Sequence, residues 1–199
     1  VSSLAGLTKL ASLDLSQNEI GYPSVEHLSG LTNLRSLQLG STHLTDKGVC
    51  RLATLTGLTV FDISSTGATN EGLCVLDAMP QVRELSLAFL HLGQGRLPQL
   101  EKLASLEKLD LTGTRIRSRG IESLRNLGSL RDLRPAHNRI DDRAMAVLAG
   151  LSRLQTLDLF NTEVTSQAEQ EFRRRLPRCQ VRFVYWASGD KPTGSTRSR

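Results

Sequence analysis

The chain has 199 residues, 39% of them hydrophobic and only 4% aromatic, so it can bury one sizeable core whose area must come chiefly from leucine. Its formal charge of +5 is uneven: residues 173–199 hold eight Arg or Lys against the one acid Asp190, which leaves the remainder nearly neutral and excludes a uniformly basic body. Three cysteines without a clustered Cys-rich cap, and no Asn-x-Ser/Thr acceptor, favour a reducing, intracellular, cytoplasmic compartment, while no apolar run or signal-peptide pattern suits a membrane.

In chain order, residues 1–6 read as a partial repeat. Counting back by the period described next puts Val1 and Leu4 in the helical half of a unit, with no strand before them. A solenoid end needs a polar cap and none is encoded there, so further repeats or another subunit are expected to cover Leu13 and Leu15 at this N-terminal edge.

Residues 7–174 then repeat seven times at 24 residues without insertion or deletion, marked by Leu7, Leu31, Leu55, Met79, Leu103, Leu127 and Leu151. Six further columns keep step, beginning at Leu10, Leu13, Leu15, Ile20, Val25 and Leu28. Of the 49 positions 47 are apolar, the exceptions being Pro135 and Glu169. A fixed period of roughly 20 to 50 residues means stacking of one supersecondary unit. Residues 12–16 alternate like a half-buried strand, whereas Val49 and Leu52 have the spacing of a helical turn. Each unit is therefore predicted to be a strand followed by a short helix. Asp46, Asn70, Ser118, Asp142 and Ser166 recur just before the helical pair and read as N-caps. Asn18, Thr42, Thr66, Thr114, Asn138 and Thr162 follow the strand and read as side chains that bond the loop backbone inside the stack.

Two units depart from the pattern. The fourth has Leu90 in place of Thr, lacks the capping Asp, and carries Pro98 inside the expected turn. The sixth has Pro135 at an inward strand position, where a local break in the ladder is expected. Such departures mark either a binding site or drift that the fold tolerates. Beyond Glu169 and three consecutive arginines, Val181, Phe183 and Tyr185 are expected to supply a closing strand at about residues 179–185, which ends a solenoid domain at 1–186. Residues 187–199 are Gly, Ser, Pro and charge, and are expected to form a flexible basic tail, either merely solvated or an arm for an anionic partner.

The unit LTNLRSLQLGSTHLTDKGVCRLAT at 31–54 resembles the leucine-rich-repeat family, in its Thr-x-hydrophobic-Thr-Asp-x-Gly form related to cysteine-containing repeats. LPRCQVRFV at 176–184 is similar to the ends of such arrays. The resemblance implies an α/β solenoid, a curved right-handed stack with a parallel sheet on its concave face and short helices or turns on its convex face. It also implies docking through the concave face.

The outward columns of that face can be read directly. The middle one is Asp14, Gln38, Asp62, Ser86, Asp110, Arg134, Asp158, and its neighbours alternate in sign as Glu84, Lys108, Asp132 and as Arg83, Glu107, Arg131. Arg134 falls between Asp110 and Asp158, so one reading is a self-neutralised ladder of cross-strand pairs. The other starts from Phe160, in a column otherwise of Ser, Gly, Ala and Thr, and from Phe89 just beyond the fourth strand. With His43, His91, Arg115, His137 and Arg139 on the loop edge, they make a mixed aromatic and cationic patch suited to an acidic or amphipathic segment. The candidate partner-binding residues are Phe89, His91, Arg115, Arg134, His137, Arg139 and Phe160.

Catalytic signatures are missing from the sequence. His27, His43, His91 and His137 each lie in a different repeat and never reach metal-ligand spacing, and there is no phosphate loop or nucleophile elbow. Cys50 and Cys74 share a column on the helical side and read as free thiols. No cofactor is expected, and the chain reads as a protein-binding module or scaffold and not an enzyme. Binding of nucleic acid, another anionic polymer or a membrane surface through the basic C-terminus is the alternative, and a passive spacer a third.

Overall fold

The computed structural model describes residues 2–184. Tyr185 and the expected tail at 187–199 lie outside the described residues. Eight three-residue strands form one parallel sheet in sequence order: β1 (Ser12–Asp14), β2 (Ser36–Gln38), β3 (Val60–Asp62), β4 (Glu84–Ser86), β5 (Lys108–Asp110), β6 (Asp132–Arg134), β7 (Thr156–Asp158) and β8 (Gln180–Arg182). The central residue of each strand points inward and its neighbours outward, as a two-residue period requires. Leu37, Phe61, Leu109 and Leu133 are accordingly buried. Register follows the 24-residue period, with Leu13 opposite Leu37 and Leu37 opposite Phe61.

One rung shows what proline does. The backbone N–H of Leu111 donates to the Arg134 carbonyl at 2.9 Å and that of Leu159 to the Arg182 carbonyl at 2.8 Å. Pro135, at the equivalent position between them, has no N–H to give, and the β6–β7 register stops at Leu133 opposite Leu157. The break is confined to that bond, because His137 N–H donates to the Phe160 carbonyl at 2.9 Å and the ladder resumes.

The returning halves are short. They comprise α1 (Tyr22–Val25), α2 (Asp46–Cys50), α3 (Ser118–Ile121), α4 (Met145–Leu148) and α5 (Ser166–Arg175), with 3₁₀ turns such as Gly72–Ala78 and Leu100–Lys102. The capping expectation is corrected here. Asp46, Ser118, Asp142 and Ser166 are the first residues inside their turns or helices, and the cap positions fall one residue earlier, at Thr45, Arg117, Asp141 and Thr165. The side chains of Asp46, Ser118 and Asp142 serve the neighbouring repeat instead. Asp46 Oδ1 accepts from Thr69 N–H at 2.6 Å and Gly72 N–H at 2.9 Å, and its Oδ2 accepts from the Thr69 hydroxyl at 2.9 Å. Asp142 does the same for Thr165, at 2.7 and 2.8 Å. A carboxylate one residue into its own turn faces the unpaired donors at the start of the next, so it bonds them rather than its own.

The fourth repeat lacks this contact. Gly93 stands where the partner threonine would, and the buried Oδ1 of Asn70 has no hydrogen-bond partner among the described residues. Pro98 also prevents a regular turn, and the N–H of Leu97 is satisfied by the buried Ser123 hydroxyl of the following repeat at 2.9 Å. Leu97 and Leu100 remain fully buried, so the core survives the loss of helix.

That core is one continuous cluster from Ile20 to Cys179, between the sheet and the turns. Each buried leucine contributes about 1.5–3 kcal/mol relative to exposure. Glu169, which interrupts an apolar column, is buried and bonded to Arg173 one helical turn on. At the first repeat Leu7 is 49% exposed and Leu13 and Leu15 are only partly buried.

Candidate functional site

The residue three beyond each of the strands β1 to β7 leads into the loop edge, and there the backbone turns left-handed in all seven repeats. Gln17, Ser41, Ser65, Phe89, Gly113, His137 and Asn161 have φ between 53° and 66°. The next position, occupied by Asn or Thr in six repeats, holds the turn in place. The Thr42, Thr66, Thr114 and Thr162 hydroxyls donate to the carbonyl three residues earlier at 2.7 to 2.9 Å. Asn138 does more: its amide donates to the carbonyls of Leu111, Pro135 and Ala136, and its oxygen accepts from Ile116 N–H at 3.1 Å. This matches the structural role expected of that column. The left-handed column before it was not visible in the sequence, since Gln, Ser, Phe, His and Asn share no obvious chemistry.

On the sheet face the aspartates also have a backbone task. Asp14, Asp62, Asp110 and Asp158 recur in alternate repeats, and each carboxylate accepts from the N–H two residues on, at 2.7 to 3.0 Å. Through the Ser16 N–H this bond holds the Asp14 carboxyl below its usual range. The ion pairs then run as Lys108 to Glu84 at 2.8 Å, Arg83 to Glu107 at 2.9 Å and Arg182 to Asp158 at 3.2 Å. Arg134 departs from the expected ladder. It pairs with Asp132, two residues back on its own strand, at 2.9 Å, and not with Asp110 or Asp158. Side chains two apart on one strand share a face, while the flanking aspartates are already bonded to Thr112 N–H, Phe160 N–H and Arg182. Asp132 is the main cause of the raised Arg134 pKa, and the two other aspartates add at longer range. These columns line a shallow hollow of about 370 Å³ over β2 to β6 and another of about 350 Å³ over β6 to β8.

The candidate residues divide into two groups. In repeats six and seven, the rings of His137 and Phe160 meet edge to face with centroids 5.2 Å apart, and the Arg182 guanidinium lies over Phe160 at 4.8 Å. His137 Nδ1 is 3.0 Å from the Asn161 amide, and Arg139 is paired with Glu163 at 2.9 Å. Phe160 is thus a half-buried, framed aromatic. Phe89 lies three repeats away, about 14 Å by the strand spacing. It is 57% exposed, and its ring lies across Gly113, where a Cβ would stand 2.7 Å from the ring. His91 and Arg115 are exposed beside it. Arg134 belongs to the hollow and not to either group.

Sequence reasoning missed three participants. Arg182 reaches Phe160 because β8 continues the register, placing it in the column of Asp14 and Asp158. Arg117 and Arg119 are exposed next to Arg115, and none of the three is ion-paired among the described residues. Alternation in residues 114–120, TRIRSRG, was the available signal. The cysteines are free, and burial, with Cys74 alongside, pushes the Cys50 thiol up to about 12; burial takes Cys179 to about 11. Both are therefore protonated at neutral pH. Among the described residues, no group of three or more His, Cys, Asp or Glu side chains is placed to hold a metal ion, and no helix is long and apolar enough to cross a membrane.

The repeat register and a family model now meet. A leucine-rich-repeat model matches residues 6–29, 30–53 and 102–124. The fold is that of a leucine-rich-repeat solenoid. No curated protein matches the sequence. An internalin (inlF) of Listeria monocytogenes superposes with a TM-score of 0.76 at 24% identity over 94% of this chain and 51% of the other. Internalin C2 of the same organism gives 0.72 at 21% identity, over 90% of this chain and 76% of the other. A plant peptide hormone receptor in complex with RGF2 gives 0.64 at 14% identity, over 93% and 33%. The chain thus spans about half the length of the first of these leucine-rich-repeat structures. At these identities the likeness is one of fold.

Proposed function

We propose that the chain is a protein-protein interaction module that docks a macromolecular partner on its concave face and the adjoining loop edge of repeats four to seven, in a reducing intracellular compartment. The observation that carries this reading is Phe89. A large aromatic 57% exposed, in a left-handed conformation and laid over a glycine, stabilises nothing in the core. Such a side chain is the kind that anchors a partner, and Phe160, framed by His137 and Arg182, offers a second aromatic surface on the same edge. His91, Arg115, Arg134, His137 and Arg139 surround them. The plant receptor, whose structure holds RGF2, illustrates the use of this fold for binding.

We also assign the repeats to the Thr-x-hydrophobic-Thr-Asp-x-Gly form. Asp46 bonding Thr69 and Gly72 of the next repeat, and Gly48 standing where a Cβ would meet Leu44 at 2.9 Å, give that motif a packing reason. A second function, anionic-polymer or membrane-surface binding, has Arg174, Arg175 and Arg178 in its favour, all exposed and without an ion pair among the described residues.

Affinity capture from native cell extract tests the main reading. Phe89→Ala with Phe160→Ala is expected to lose the captured protein, and Arg174→Gln with Arg175→Gln and Arg178→Gln to retain it. Unchanged capture by the double alanine variant would overturn it.

A further inference from the structure

We propose that the loop edge between repeats four and five is the docking site for an acidic peptide segment that carries an apolar side chain, an assignment that rests on the interaction-module reading above. The argument begins with three arginines in one repeat. Arg115 and Arg117 flank the fully buried Ile116, so both are directed outward, and Arg119 follows at the start of α3; all three are exposed. In the sixth repeat the same three positions hold Arg139, Asp141 and Arg143, and there each arginine is matched: Arg139 with Glu163 at 2.9 Å, Arg143 with Asp141 at 3.8 Å. In the fifth repeat no carboxylate lies within ion-pair distance of any of the three among the described residues. The cap position is here Arg117, which like Thr45 makes no side-chain capping bond, whereas Asp141 and Thr165 each accept one. Three positive charges are therefore held side by side with neither a counter-charge nor a structural task.

The repeat beside them is built open. At the matching positions the fourth repeat has His91, Gly93 and Gly95, and a Cβ placed on either glycine would meet nothing within 4 Å. Thr69 pairs with His91, and Arg117 with Arg139, as parallel bridges along this edge. Gly93 and Arg115 form no such bridge among the described residues. The irregular turn that leaves Asn70 Oδ1 without a partner is the same one that removes side chains here. This edge thus has open space over two glycines on one side and three exposed arginines on the other, with the exposed ring of Phe89 over Gly113 at its sheet end.

Charge complementarity selects the occupant. Guanidinium groups with free donors bind carboxylates by charge-assisted, often bidentate, hydrogen bonds, and an aromatic at the end of the row gives an apolar side chain of the same segment a place to bury. A nucleic acid would also satisfy the charge. It is the poorer fit, because the sheet face that continues from Phe89 presents Asp110 and the paired Glu84 and Asp132 instead of further free cations.

Fluorescence anisotropy with a short labelled Glu-rich peptide containing one Phe, alongside a single-stranded oligonucleotide of equal charge, tests the assignment on the full chain. The peptide is expected to bind. Arg115→Gln, Arg117→Gln and Arg119→Gln together are expected to weaken it by about tenfold or more, and Phe89→Ala to weaken the Phe-containing peptide more than its Phe-to-Gly counterpart. Because these side chains are exposed, an unchanged thermal midpoint will show that the variants fold. Absence of peptide binding, preference for the oligonucleotide, or an equal loss on replacing Arg174, Arg175 and Arg178 by Gln would overturn it. If capture of a partner from extract depends on Phe89 while the Arg-to-Gln variant keeps it, this assignment falls and the interaction-module reading stands. If capture ignores Phe89 and Phe160, that reading falls as well.

Discussion

Gly113 is the smallest member of the left-handed column, and its lack of a side chain makes room for the Phe89 ring. A methyl group there would meet the ring at 2.7 Å and would sit on a backbone of φ +66°. Gly113→Ala is expected to lower stability by about 1 kcal/mol, the usual cost of a Cβ at positive φ. Its effect on binding at Phe89 should be larger, because the ring is the mobile party to the clash. Denaturant unfolding and a binding titration on the same variant will separate the two. Asn138 works in the opposite direction, as a side chain with only a structural role. It is 4% exposed and bonds the backbone of two repeats. Asn138→Ala should cost about 2–3 kcal/mol, by leaving buried carbonyls and the Ile116 N–H unsatisfied, and chemical denaturation will measure it.

Single elements show how far local chemistry propagates. Proline directly after β6 removes one rung and no more, so the strand keeps its register. Pro135→Leu, which restores the residue type of its column, is expected to raise stability by about 1 kcal/mol through the recovered N–H bond to Asp158; a lower denaturation midpoint would contradict this. The start of the helical turn in the sixth repeat is expected to weaken in acid. The Ser118 hydroxyl, 2.6 Å from Asp141 Oδ1, holds that carboxyl below its usual range, with the Arg143 N–H adding to the effect. A group whose folded pKa is depressed stabilises the fold above its unfolded value, near 4, and loses that contribution as pH falls through the folded value. Ser118→Ala should therefore flatten the acid side of the stability profile, measured as melting temperature against pH.

The same elements explain what was legible in the sequence. Strand, turn and core columns were readable because each is enforced by burial from the second repeat on, and the Thr and Asn column because one bond recurs. The missing rung at Pro135 followed from one absent N–H. The capping positions were displaced by one residue, since Asp46 and Asp142 look equally suited to their own turn or to the next one until the stack is built. The candidate binding residues, expected as one patch, lie in two groups three repeats apart. Arg182 joins the group around Phe160 only through the β8 register, and Arg117 and Arg119 gain meaning only beside the glycines of the preceding repeat.

For the molecule as a whole, stacking gives each repeat contacts chiefly with its neighbours, so a departure in one repeat changes the surface locally without unfolding the rest. The fourth repeat loses its regular turn yet keeps Leu97 and Leu100 buried. That tolerance lets a solenoid of near-identical cores carry a distinct surface at one place, and here the open fourth repeat, the arginines of the fifth and the exposed Phe89 coincide. Hydrogen exchange on the free chain and on its complex with the captured protein tests this most directly. Slowed exchange at residues 89–95 and 113–119, with the turns of the convex side unchanged, is the predicted result. Slowing confined to α5 and the basic residues after it would contradict the account.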